Sequence, residues 1–189
     1  MTAIRYKAVD SKPPKWLALY DIETPEVANS DDYNALRAQA SDNEKMILSK
    51  LGSRSYVHNG TFTGTETTSE DLPTKYVWVV SLEVASEGED DLDRWYKEEH
   101  MDLLSKVPGW KRGRRYRLVD FDQRGGLSEA PVCKHLTLHE FDNKDFMATP
   151  EFKRATSTEW QARVLAKFVR KEVRLFELYR DFGKRPEIL

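Results

Sequence analysis

The segment Trp95-Tyr96-Lys97-Glu98-Glu99-His100 brings an indole, a phenol, a carboxylate and an imidazole within two turns of a helix. At about 100° per residue, Trp95, Leu92, Leu103, Tyr96 and Val107 form one apolar arc, and Glu99 and His100 fall inside it. Tyr96 and His100 are i,i+4 neighbours. Ionisable groups on a buried stripe require partners, and such groups collect at functional sites. An imidazole titrates near neutrality. His100 therefore suits general acid–base catalysis, with Tyr96 or Glu99 orienting it or sharing its proton. The same Glu–His pair could instead pin a helix to a strand.

Two further histidines, His135 and His139, lie in Cys133–Phe141, which reads as a strand. Alternation sends Leu136 and Leu138 one way and His135, Thr137 and His139 the other. Leucines are expected beneath helices, so the histidines are expected to face a polar-aromatic interior. By the same logic that interior receives Trp16, Ala18 and Tyr20, Arg115 and Arg117, Arg5 and Lys7, and Leu175, Glu177 and Tyr179. His139 is then a second candidate acid or base. Trp16, Tyr20, Trp95, Glu99, Arg115, His135 and Glu177 are candidate substrate-binding residues, with Arg115 or Arg5 suited to bidentate contact with a carboxylate or enolate. Packing roles, and pairing of the arginines at a sheet seam, are the plainer alternatives. On a strand His135 and His139 stand about 13 Å apart, too far to share one ion, so no metal site is expected.

The elements that must position these groups follow from patterning. Lys75–Val84 reads as a strand, Asp90–Val107 as a helix ended by Pro108-Gly109, and Lys111–Phe121 as a strand. A loop runs to Ala130, followed by the histidine strand. A helix begins at Thr149-Pro150, with proline at its first position, and Glu172–Tyr179 is a final strand. This β-α-β-β-α-β order is ferredoxin-like. Part of it is written twice. Arg5–Asp10 matches Arg115–Asp120, Lys15–Asp21 matches Lys134–Glu140, and Tyr20 to Tyr33 spans 13 residues, as does His139 to Phe152. The first copy gives only β-β-α-β, over Ile4–Val9, Lys15–Ile22, Ser30 to about Leu51, and Ser53–Thr61. The expected division is an incomplete half at 1–62, a Gly/Thr/Ser-rich linker at 63–74 and a complete half at 75–183. In a ferredoxin-like sheet the absent strand is central. Either the chain begins late, or another strand fills the gap, or the remaining strands pair directly.

Composition narrows the partners. With 30 basic and 32 acidic residues the formal charge is −2, so no global basic field speaks for nucleic acid or an anionic membrane. No apolar run approaches the ~20 residues of a spanning helix, and no signal peptide is evident. Cys133 is the single cysteine, which rules out an intrachain disulfide and suits a reducing cytoplasm.

Trp95–Leu104, followed by Val107-Pro108-Gly109-Trp110 and Arg114-Arg115-Tyr116, resembles the EthD-like branch of the dimeric α+β barrel proteins. The resemblance covers 75–180 and, as a partial second copy, 4–58. It implies an α+β fold in which two ferredoxin-like units close antiparallel sheets into a barrel, between chains or, pseudo-dimerically, within one. A homodimer is the expected assembly. Members include cofactor-independent decarboxylases, cyclases and monooxygenases acting on aromatic or polyketide-like compounds, and also haem proteins. The helical histidine that often lines the family's pocket corresponds to His100, although this chain has Asp102 where proline frequently follows. The expectation is a cofactor-independent lyase, cyclase or isomerase for a hydrophobic small molecule. The alternatives are a non-catalytic binding or assembly barrel, a cofactor-free monooxygenase and a haem protein.

Overall fold

The run Tyr76–Val84 is aromatic and β-branched on both faces, which suits a strand with a neighbour on each side. The computed structural model describes residues 2–123 and 131–183, so the end of the expected loop, at 124–130, lies outside the described residues. In chain order the strands are β1 (Thr2–Ala8), β2 (Trp16–Asp21), β3 (Gly52–Thr63), β4 (Tyr76–Val84), β5 (Trp110–Gln123), β6 (His135–Phe141) and β7 (Phe168–Asp181). The α-helices are α1 (Asp31–Ala38), α2 (Asp42–Leu48), α3 (Glu89–Trp95), α4 (Met101–Ser105), α5 (Pro150–Ala155) and α6 (Glu159–Leu165). All seven strands form one sheet in the order β2-β1-β7-β4-β6-β5-β3, antiparallel at every step. The complete copy supplies its centre. Strands from the partial copy extend it at both ends, and β2 and β3 are not paired with each other.

The expected long helices are interrupted for local reasons. Ser30 caps α1, and Ser41 restarts the chain as α2 with a reciprocal Ser41–Glu44 capping box. Thr149 and Thr158 cap α5 and α6 by accepting the Phe152 and Gln161 backbone N–H groups. Between α3 and α4, residues Tyr96–His100 form a π-turn in which the Met101 N–H reaches the Tyr96 carbonyl.

The two faces of the sheet are the reverse of those expected from alternation. Tyr76, Trp78, Val80, Leu82 and Val84 lie under the helices with Leu92, Trp95, Tyr96, Met101, Leu104, Trp110, Phe141 and Phe146. His135, Thr137, His139 and Arg115 share that side, through contacts with Glu89, Tyr96, Trp78 and Asp93. Tyr6, Val77, Leu138 and Phe176 line the opposite, concave face with Leu17, Leu19, Tyr116, Leu136 and Leu178. Curvature explains the reversal. The inside of a tightly curled sheet has room for little more than its own side chains, which suits branched aliphatics. Indoles and imidazoles go where the helix layer gives more depth and polar partners.

Buried ion pairs close the two ends of the concave face. Glu140 is fully buried and takes Arg112 at 2.9 Å. Arg114 lies 3.4 Å from Glu140 and 3.6 Å from Asp21 of β2, so the curl brings the edge strand β2 within side-chain reach of β5, the strand next to the opposite edge. At the other end Arg174, buried on β7, donates to both Asp10 carboxylate oxygens at 2.8 Å and to the carbonyls of Lys12, Pro13 and Pro14. One guanidinium thereby fixes the β1–β2 connection. Arg174→Met should lower the stability measured by urea unfolding by about 2–4 kcal/mol. A loss within about 0.5 kcal/mol of zero would mean that other contacts hold this connection.

Candidate functional site

The α3–α4 segment faces β6 across the helix–sheet layer, and the π-turn decides which side chains meet it. An uninterrupted helix would turn Glu99 and Leu103 fully inward. The wide turn delays the inner face by one residue, so Trp95, Tyr96, His100, Met101 and Leu104 are buried while Glu99 and Leu103 move to the margin. Glu99 there accepts from Trp95 Nε1 at 3.1 Å and Thr158 Oγ1 at 2.6 Å, a clasp between helices.

His100 stacks on the Trp95 ring, with centroids 3.9 Å apart. Its Nδ1 is 3.2 Å from the Ala155 carbonyl. A carbonyl only accepts, so Nδ1 carries the proton and Nε2 is left as the acceptor. Burial pushes the His100 pKa down to about 3, against the opposing pull of the Ala155 carbonyl. His139 is in the opposite tautomer. Trp110 Nε1, which only donates, lies 3.4 Å from His139 Nδ1, so the proton sits on Nε2. That Nε2 is buried and has no hydrogen-bond partner. Burial, then the nearby His100 and Arg115, hold His139 well below the usual imidazole range. The two rings stand nearly perpendicular with centroids 6.5 Å apart.

A missing side chain makes this arrangement fit. Gly113 of β5 is registered opposite His139, and a Cβ there would come within 3.0 Å of Met101 Sδ and 3.2 Å of Trp110 Cζ2. The register shift between Trp110 and Arg112 turns Trp110 back over the histidine strand. Tyr96 lies 3.3 Å from Thr137 Oγ1 through its hydroxyl, under the Arg115 guanidinium at 4.1 Å from its ring centroid, and burial raises its pKa. Arg115 in turn donates to Asp93 at 2.6 Å. His135 is 3.8 Å from Glu89, which also binds Lys134 and Arg117; burial nevertheless lowers its pKa.

His100, Tyr96, Trp95, Glu99, His135, His139 and Arg115 therefore share one helix–sheet layer. Trp16, Tyr20 and Glu177 do not join them. Trp16 and Tyr20 are more than half exposed on the edge strand β2, where Trp16 meets Tyr179 edge-on. Glu177 binds the Tyr76 hydroxyl at 3.4 Å and lies 3.6 Å from Lys75. Sequence reasoning missed Trp110, Gly113, Trp78 and the Ala155 carbonyl. Trp110 carried a signal, being the aromatic residue of the Pro-Gly turn; a backbone carbonyl carries none. Beside the layer is an open depression of about 260 Å3, lined by Phe62, Thr63, Lys97, Met101, Asp102, Ser105 and Trp110. Trp110 and Met101 form the wall between this depression and the imidazoles.

Neutral burial of these imidazoles has a thermodynamic signature. The folded pKa lies below the unfolded value, so below pH 6.5 the unfolded chain binds more protons and stability falls as pH falls toward 3. Each such histidine contributes about 1.4 kcal/mol per pH unit once well below 6.5. Urea unfolding at pH 5.5 should give a stability about 2–3 kcal/mol lower than at pH 7.5. The double variant His100→Gln/His139→Gln should flatten that slope. Asp10 and Asp91, held low by Arg174 and Arg163, titrate beneath this window. Stability unchanged between the two pH values would contradict the assignment.

No protein-family model matches the chain, and no curated protein does. Solved structures with similar folds include an anthrone oxidase-like protein, with TM-score 0.61 and 13% identity over 97% of this chain and 79% of that one. A candidate monooxygenase from Fusobacterium nucleatum subsp. nucleatum gives 0.53 and 10%, over 96% and 78%. A major regulator of staphylococcal pathogenesis gives 0.50 and 11%, over 94% and 85%. At these identities the likeness concerns architecture: the chain has the curled antiparallel sheet and one-sided helices of the dimeric α+β barrel fold.

Proposed function

We propose that this chain is a cofactor-independent enzyme that moves a proton on a hydrophobic, aromatic or polyketide-like carbonyl compound, of the EthD-like kind. One observation carries the reading: two buried imidazoles share one layer in opposite tautomers, and His139 Nε2–H has no partner among the described residues. Burying an unpartnered donor costs about 1–3 kcal/mol, which a ligand oxygen would offset. His100 Nε2 takes a proton from the carbon next to the carbonyl, and the carbonyl oxygen becomes an enolate that His139 Nε2–H stabilises. Return of the proton to another carbon is an isomerisation. Attack of the enolate carbon on a second carbonyl of the same molecule is a cyclisation.

A base with so low a pKa is effective here only as half of a pair. His100 is depressed because its cation would be buried with no anion beside it. The enolate is that anion, so imidazolium and enolate form together and attract strongly in a dry site. Trp95 and Trp78 pack against the two imidazoles and make the walls around them apolar. Movement of the flexible Met101 side chain would open a route from the adjoining depression while Trp110 stays on His139. The anthrone oxidase-like neighbour supports an aromatic ketone as the first compound to try.

A second reading, a non-catalytic binding or assembly barrel, is favoured by the close apolar filling of the concave face. Deuterium exchange into anthrone, followed by NMR in D2O, separates the two. The enzyme reading expects the protein to accelerate exchange at the carbon acid, and His100→Ala to slow it about 10²–10⁴-fold under conditions where urea unfolding shows the variant still folded at pH 7.5. No acceleration by the parent protein, or full activity in His100→Ala, would favour the barrel without catalysis.

A further inference from the structure

The complete copy shows what the partial copy lacks. In the complete copy β4 lies between β6 and β7, while α3 contacts α6 and α4 contacts α5. By the sequence repeat β2 corresponds to β6 and β3 to β7, and the paired N-caps Ser30/Thr149 and Ser41/Thr158 align α1 with α5 and α2 with α6. The counterpart of β4 would lie between β2 and β3, the two strands that have a single neighbour each among the described residues. Direction agrees with position. Six successive antiparallel steps leave β2 and β3 pointing the same way, so they cannot pair antiparallel with each other. One strand running opposite to both would satisfy both edges and complete an eight-stranded barrel. The curl that carries Asp21 to Arg114, and the 3-10 turn Pro25–Asn29 that packs on β3, bring those edges toward each other.

The helices record the same vacancy independently. Ala155 of α5 is fully buried, while its counterpart Leu36 of α1 is 65% exposed. Val164 of α6 is 1% exposed, and its counterpart Ile47 of α2 is 48% exposed. Neither α1 nor α2 buries a single residue. Leucine and isoleucine at helical positions that are core in the other copy mark a face built to be covered.

We infer that the seam between β2 and β3, with the apolar face of α1 and α2, is the docking site of an amphipathic β-α segment supplied from outside residues 1–189. Its strand adds antiparallel to both free edges, with apolar residues toward the concave face, and the following amphipathic helix covers Leu36 and Ile47. Charge refines the occupant. In the complete copy Asp91 of α3 takes Arg163 and Lys167, flanking the apolar contact. In the partial copy Arg37 and Lys45 line a depression of about 500 Å3 beside Leu48, so the incoming helix carries carboxylates there. A second copy of this chain offers no free unit of this kind among its described residues. Its β-α unit of this kind among the described residues, β4 with α3–α4, is locked in the centre of its own sheet.

The test uses the full chain and a fluorescent synthetic peptide covering residues 75–107, the chain's own unit of this type, joined to a soluble carrier. Saturable binding is expected by anisotropy, with amides of 16–21 and 52–63 gaining protection from hydrogen exchange when the peptide is added. The double variant Leu36→Asp/Ile47→Asp should bind at least about tenfold more weakly, a 1.4 kcal/mol difference, with unchanged urea unfolding because both side chains are exposed. Binding weaker than about 1 mM, or binding and protection indifferent to the double variant, would overturn the inference. So would a dimer of the parent chain, seen by sedimentation, that the double variant dissolves, since a second copy would then occupy the seam.

Discussion

Taking an imidazole out of water without giving its cation a counter-ion forces it to be neutral, and His100 and His139 both sit under that constraint. Much of the surrounding structure answers to it. The Ala155 carbonyl and the Trp110 indole each accept or supply the one hydrogen bond that fixes a tautomer. The π-turn between α3 and α4 points His100 inward in place of Glu99. Gly113 clears the space through which Trp110 reaches β6. Arg115, the nearest buried cation, is held by Asp93 and the Tyr96 ring.

The sheet obeys a separate constraint, that of parity. An antiparallel barrel closes only with an even number of strands, and the described residues supply seven. The complete copy occupies the centre, where both edges of each strand are satisfied. The partial copy is left at the margins, where it ends in two free edges and two helices without a core. The buried site belongs wholly to the complete copy, so the open seam and the imidazole layer are distinct in place and in chemistry.

How much of this was legible before the coordinates depends on the kind of signal. The element order was readable because it rests on local patterning and on residues such as Thr149-Pro150 and Pro108-Gly109. His100, Tyr96 and Trp95 were readable because helical periodicity put them on one stripe. The faces of the strands were not. Alternation separates His135, Thr137 and His139 from Leu136 and Leu138 but does not say which set meets the helices. The curl decides that, and curl is a property of the whole sheet. Placing Trp16, Tyr20 and Glu177 with His100 followed from that reversed choice. The π-turn was also invisible, because it shifts the helix face by one residue without any glycine or proline to announce it.

The central claim is that His100 and His139 are neutral and locked in opposite tautomers. Two-dimensional 15N–1H NMR of the histidine rings, recorded on the uniformly labelled chain from pH 5 to pH 8, reads both properties at once. The account predicts one ring protonated on Nδ1 and one on Nε2, assigned to His100 and His139 by single substitution and unchanged across the range. Imidazolium signals from either residue at pH 6, or averaged shifts from exchanging tautomers, would contradict it.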